Sequence, residues 1–179
     1  MPLGLFDTIL LRLLKDEIES FYGYKTIVLS SHQLPAFAFY TPRNRYKADS
    51  LLVFLNNICP DSINYIMGCT SKDISTSTSM YEDWGIFGLS ECPGRTCVIS
   101  SFRVKPSARD ENHFRERMIK IALHELGHMF GINHCINSSQ CLMEDACGTI
   151  RSVDREKKAL CSSCRRNVLA KNAVKLEMR

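Results

Sequence analysis

The chain has 179 residues, 45% hydrophobic and 23% charged, a balance that fits a globular unit able to bury its own core. Its formal charge of +4 is uneven: residues 151–179 carry nine of the 23 Lys/Arg and three of the 19 Asp/Glu, which leaves residues 1–150 slightly acidic. No apolar run approaches a membrane span, and the opening stretch lacks a basic start and is interrupted by Arg12, Lys15, Asp16 and Glu17, so it does not read as an export signal and a cytoplasmic location with no membrane partner is expected.

Apolar residues at helical spacing (Leu10, Leu13, Leu14, Ile18, Phe21) predict a first helix over residues 5–21, stopped by Gly23. Residues 25–30 read as a strand and 48–58 as a second helix, with Asp49 or Ser50 near its start. A short apolar strand is expected at 64–69 and a Ser/Thr-rich loop at 75–79. Strands at 85–90 and 96–104 flank a turn at Pro93-Gly94. Residues 110–130 predict a long helix, capped by Asp110 or Asn112 and ended by Gly131. Residues 132–164 are rich in Cys, Asn, Ser and Gly and lack apolar periodicity, so something other than a core must order them. A final helix is expected over 165–178. Helix and strand alternate, which predicts an α/β fold with a mostly parallel sheet and packed helices. The expected division is an N-terminal α/β part, residues 1–131, ending in the long helix, and a metal-organised C-terminal part, residues 132–179.

The long helix ends in HELGHMFGINH. His124 and His128 lie four apart, on one face and one turn from each other, so both can reach one metal ion. Gly131 permits the left-handed turn that brings His134 back as a third ligand. Three neutral imidazoles suit a catalytic Zn²⁺ with an open position. Glu125, beside the first histidine, is placed to act as general base towards an activated water. Two surface histidines and a solvated glutamate would explain HExxH alone, but not the added Gly131 and His134. His32 and His113 read as ordinary surface residues.

Nine cysteines are many for a chain without an export signal, and metal ligation is the better reading than disulfides. Cys135, Cys141, Cys161 and Cys164 form two groups, the second a tight CxxC, and read as a structural Zn²⁺ site that would order residues 132–164. Cys147 lies between the groups and is an alternative to Cys141. The basic residues Arg151, Lys157, Lys158, Arg165 and Arg166 would offset the negative charge of four thiolates. A dithiol redox pair at Cys161 and Cys164 is the rival, without a thioredoxin-like context. Cys59 and Cys69 read as buried thiols, and Cys92 and Cys97 as possible partners across the Pro93-Gly94 turn.

The run from His124 to Cys164 resembles the archaemetzincins, metzincin-like metallopeptidases whose pattern is HExxHxxGxxHC, a short spacer, CxM, seventeen residues, and CxxC. Cys141-Leu142-Met143 supplies CxM, residues 144–160 the seventeen, and Cys161 to Cys164 the close. Five residues (136–140) separate the first two cysteines where the family usually has four. The resemblance implies that Met143 is the Met-turn methionine, an apolar floor under the catalytic zinc. It also implies an antiparallel edge strand that pairs with an extended peptide, for which residues 85–90 are the candidate. The first strand implied by the resemblance would be missing, because Met1-Pro2-Leu3-Gly4 begins at the turn that follows it. Weaker similarity runs through residues 43–52, 66–73 and 87–104.

Together these readings predict a zinc-dependent peptidase or aminopeptidase holding two zinc ions, one catalytic and one structural. Its expected partner is a peptide or protein substrate, and a monomer is expected. Tyr81 and Tyr46 are candidates for stabilising the oxyanion. The competing reading is a zinc-bound peptide- or protein-binding module with little hydrolysis, although a pure binding site has no need of Glu125. A nucleic-acid partner is not expected, since the basic C-terminal region lacks interleaved aromatics.

Overall fold

A computed structural model describes residues 1–138 and 140–168. The first helix, α1 (Thr8–Tyr22), starts three residues later than predicted. Asp7 caps it, its side chain accepting from the N–H groups of Ile9 and Leu10, and Gly23 ends it in the left-handed region at φ 73°. The second helix, α2, covers Ala48–Ile58 as predicted. Asp110 caps the third, α3 (Glu111–Met129), by accepting from His113 N. A short α4 (Ile150–Arg155) and a helical stretch over 162–168 follow. The rest of the last predicted helix lies outside the described residues.

The main sheet has four strands: β1 (Pro2–Leu3), β4 (Ile66–Thr70), β8 (Thr96–Ser100) and β7 (Gly88–Ser90), in the order β1-β4-β8-β7. The β1–β4 and β4–β8 pairs are parallel and β7 runs antiparallel to β8, so the expected mixed sheet with an antiparallel edge is present. β8 is buried along its whole length, as a central strand covered on both faces must be. Its side chains alternate: Cys97 and Ile99 join the core under α1 and α3, while Val98 joins the core under α2. Leu142, Met143 and Val153, from beyond Gly131, belong to the α1–α3 core.

Several expectations need correction. The first strand is not missing, for Pro2 and Leu3 pair with Cys69 and Thr70, and the Met1 ammonium donates to Met67 O at 2.8 Å. Residues 25–30 form no strand. Ile27 and Val28 are exposed there, and just beyond this stretch His32 forms an isolated bridge with Leu3 of β1. The stretch 85–90 divides at Phe87: β7 stays in the main sheet, while β6 (Trp84–Ile86) enters a second one. That second sheet, in the order β2-β3-β5-β6, also holds β2 (Phe39–Tyr40), β3 (Arg45–Lys47) and β5 (Ile74–Thr76), so Ser75 and Thr76 pair instead of looping.

Strands this short need help from side chains. Asp73, almost buried, accepts from Arg103 Nε at 2.6 Å and Nη2 at 2.9 Å, and lies 3.2 Å from Arg45 Nε. Arg45 and Lys47 also reach Asp83, at 3.4 and 3.3 Å. Removing the Asp73 charge takes away the carboxylate that Arg103 pairs with and leaves the nearly buried Arg45 with Asp83 alone. Asp73→Asn should therefore lower the unfolding free energy by about 3 kcal/mol in chemical denaturation; a loss below about 1 kcal/mol would mean that the network is solvated and weak. Among the described residues, no helix is long and apolar enough to cross a membrane.

Candidate metal centres

The last turns of α3 carry His124 and His128 into a cavity of about 790 Å³, and Gly131, at φ 76°, turns the chain so that His134 joins them. Gly131 N donates to His128 O at 2.6 Å and Ile132 N to Gly127 O at 3.0 Å, which closes the helix end. The three histidines offer ligand nitrogens that all lie within 4.8 Å of one another. His124 Nδ1 donates to Leu142 O and His128 Nδ1 to Ile132 O, both at 2.7 Å. These bonds fix the tautomers, so the lone pairs sit on the Nε2 atoms, which are 3.0 Å apart. Burial, with His128 next to it, pulls the His124 pKa down to about 3, so the ring is neutral at physiological pH. Two facing lone pairs repel unless a cation lies between them, and the donor set therefore fits a metal ion such as Zn²⁺.

Glu125 faces the same cavity and is almost buried. Burial raises its carboxyl to about 7, and the Ser90 hydroxyl, which donates to the carboxylate, opposes that rise. Ser90 comes from the edge strand β7, as does Gly88, where a Cβ would lie 2.5 Å from Glu125 Oε1. Gly88→Ala should push the carboxylate off its position and lower kcat/KM by about 10²-fold at unchanged zinc content. Full activity in that variant would show that the carboxylate tolerates displacement.

Met143 is fully buried and packs against Gly127 of α3, the residue before His128. Tyr81 lines the cavity and stacks on Trp84, with centroids 5.0 Å apart. Tyr46 packs on Phe39 in the second sheet and does not line the cavity. Residues 78, 80 and 81 of the loop after β5 form part of the cavity rim. His113 contacts Asp154 at 2.8 Å, away from the triad.

The sulfurs of Cys135, Cys141, Cys161 and Cys164 also lie within 4.8 Å of one another. Cys135 Sγ is 3.7 Å from Cys161 Sγ, and Cys161 N donates to Cys141 Sγ at 3.3 Å. A main-chain bond from Cys164 pulls the Cys161 thiol down to about 7, while burial pushes Cys141 and Cys164 up. One easily ionised thiol among buried ones suits a soft cation, which lets the others ionise. Cys147 is exposed, with φ 47°, and stands outside this group. Cys59, Cys69 and Cys97 are buried free thiols, and Cys92 is exposed and not joined to Cys97. Lys158 pairs with Glu17 at 2.7 Å.

Sequence reasoning did not single out Ser90 or Gly88 as neighbours of Glu125, or the carbonyls of Leu142 and Ile132. Main-chain acceptors leave no trace in residue identity, and Ser90 meets Glu125 across 35 residues.

The sequence pattern of peptidase family M54 matches residues 27–170. The chain belongs to that family. Among archaemetzincins, that of Pyrococcus furiosus is 32% identical over 180 residues, covering 94% of this chain and 90% of its own. The crystal structure of the Methanopyrus kandleri archaemetzincin is 25% identical, with a TM-score of 0.82 over 97% of this chain and 96% of that one. The Archaeoglobus fulgidus archaemetzincin, crystallised with malonate, is 26% identical, with a TM-score of 0.78 over 93% and 96%. As an archaemetzincin the chain is a metallopeptidase, a hydrolase, and its substrate is a peptide.

Proposed function

We propose that His124, His128 and His134 hold a catalytic zinc and that Glu125 is the general base of peptide-bond hydrolysis. The observation that carries this reading is the Glu125 carboxylate, almost buried in one cavity with three imidazoles whose ligand nitrogens lie within 4.8 Å of one another. Zinc, when bound, supplies a Lewis acid that acidifies water and polarises a carbonyl. Glu125 takes the proton from the attacking water and delivers it to the leaving amine, a role for which a pKa near neutrality is well matched. Ser90 holds its carboxylate towards the cavity, and Met143 gives the helix a rigid floor. Among the described residues β7 is the edge of its sheet, and its residues Gly88, Leu89 and Ser90 line the cavity, so an extended peptide adds to this edge as a further strand. Cys135, Cys141, Cys161 and Cys164 hold a second, structural zinc.

Hydrolysis of an internally quenched peptide should disappear when the chain is stripped of metal and return on addition of two equivalents of zinc, enough for both sites. Undiminished cleavage by metal-free protein would overturn the proposal.

A further inference from the structure

The same cavity is lined by a carboxylate that the proposed chemistry does not use. Glu156 follows α4, is 4% exposed, and donates its main-chain N–H to Ser152 O at 3.0 Å. Its buried Oε1 has no hydrogen-bond partner. The neighbouring cations are engaged elsewhere: Lys120 Nζ binds Glu116 at 3.0 Å and Val153 O at 3.1 Å, and Arg155 binds Glu144. Burial, and after it the Glu144 carboxylate, pushes the Glu156 carboxyl up to about 8, while Lys120 and Arg155 act the other way. A purely structural carboxylate at this depth would be expected to have found a partner.

The cavity wall near it supplies the other half of a binding slot. Ile121 lies one helical turn before His124 on α3, and Val153 and Ala146 come from the segment that packs against that helix. Asp145, also on the cavity wall, adds negative charge. Apolar walls together with a carboxyl that has an unpartnered oxygen suit a guest with a long alkyl stem and a cationic tip, whose charge favours the ionised form of that carboxyl.

We propose that Glu156 is a specificity residue that receives the cation of a Lys or Arg side chain of the peptide substrate, its stem lying against Ile121 and Val153. This rests on the peptidase reading of the cavity. A peptide's terminal ammonium carries the same chemistry, but its charge sits on the backbone without an alkyl stem, and the apolar walls favour the side chain.

The test is binding to the zinc-loaded full chain of three probes, followed by NMR: N-acetyl-lysine methylamide, N-acetyl-norleucine methylamide, and norleucine methylamide with its free amine. The lysine probe should bind roughly ten- to a hundredfold more tightly than the blocked norleucine probe. Glu156→Gln should erase that difference, and in quenched peptides that differ only by Lys or norleucine it should erase the kcat/KM preference while cleavage of the norleucine peptide persists. Equal binding of the two blocked probes to the wild-type chain overturns the proposal, whatever the variant does. A preference for the free-amine norleucine probe overturns it in favour of a terminal ammonium. A lysine preference in binding with no cleavage of any peptide would retain the slot and sink the peptidase reading instead.

Discussion

Glu125→Gln will stop peptide hydrolysis while leaving the zinc content and the fold intact. Glutamine keeps the shape that fits against Gly88 and still accepts from Ser90, so the site's packing survives. What it loses is the ability to hold a proton in transit, and the expected fall in kcat/KM is on the order of 10²–10⁴-fold. The same variant has a second, independent signature in the metal-free protein. Burial raises the Glu125 carboxyl from 4.5 to about 7, so between those values the native state keeps a proton that the unfolded state has released. Its contribution to wild-type stability therefore falls as pH rises through that window. Glutamine does not titrate, so the variant should be the more stable protein above neutrality, by about 3 kcal/mol. That advantage should vanish below pH 4.5, where Glu125 is protonated in both states. Denaturation at pH 4 and pH 8 measures it, and retained hydrolysis by the variant would remove Glu125 from the mechanism.

Changing both Cys161 and Cys164 to Ser will lower the metal content from two ions per chain to one and weaken the segment after Gly131. The described residues of 132–149 contain neither helix nor strand, and their order depends on turns, on Cys135 N donating to Met143 O at 2.6 Å, and on the four-sulfur group. Structural zinc contributes on the order of 10 kcal/mol in small zinc-dependent domains. Here Leu142, Met143 and Val153 are also anchored in the core under α3, so a smaller loss, about 5 kcal/mol, is expected. Elemental analysis and thermal unfolding of the double variant give both readouts. One zinc in each protein, with unchanged unfolding, would return Cys161 and Cys164 to the redox reading.

The parts of this architecture that were legible in the sequence are those whose partners lie close along the chain. The spacing of His124, His128 and His134 is a local geometric instruction, and the period of α1 and the caps at Asp110 and Gly131 are local too. The second sheet was hidden because its strands are two or three residues long, too short for an alternating pattern to show. What holds it is Asp73 meeting Arg45 and Arg103, residues far apart in the chain. The stretch 25–30 has the composition of a strand, but composition does not say whether a partner is within reach. Glu156 was unremarkable as a letter and acquires meaning only from its burial and the cavity beside it.

His134 and Cys135 are consecutive, yet one joins the histidine group and the other the sulfur group. Cys141 and Met143 repeat the arrangement two residues apart, and the intervening Leu142 carbonyl accepts from His124. An ion seated among the sulfurs would therefore remove conformational freedom from His134 as well. The entropy of ordering that loop is spent once for both sites. Linkage then requires the effect to be mutual, so that occupancy of either group would tighten the other by the same factor, each ion an effector of its neighbour.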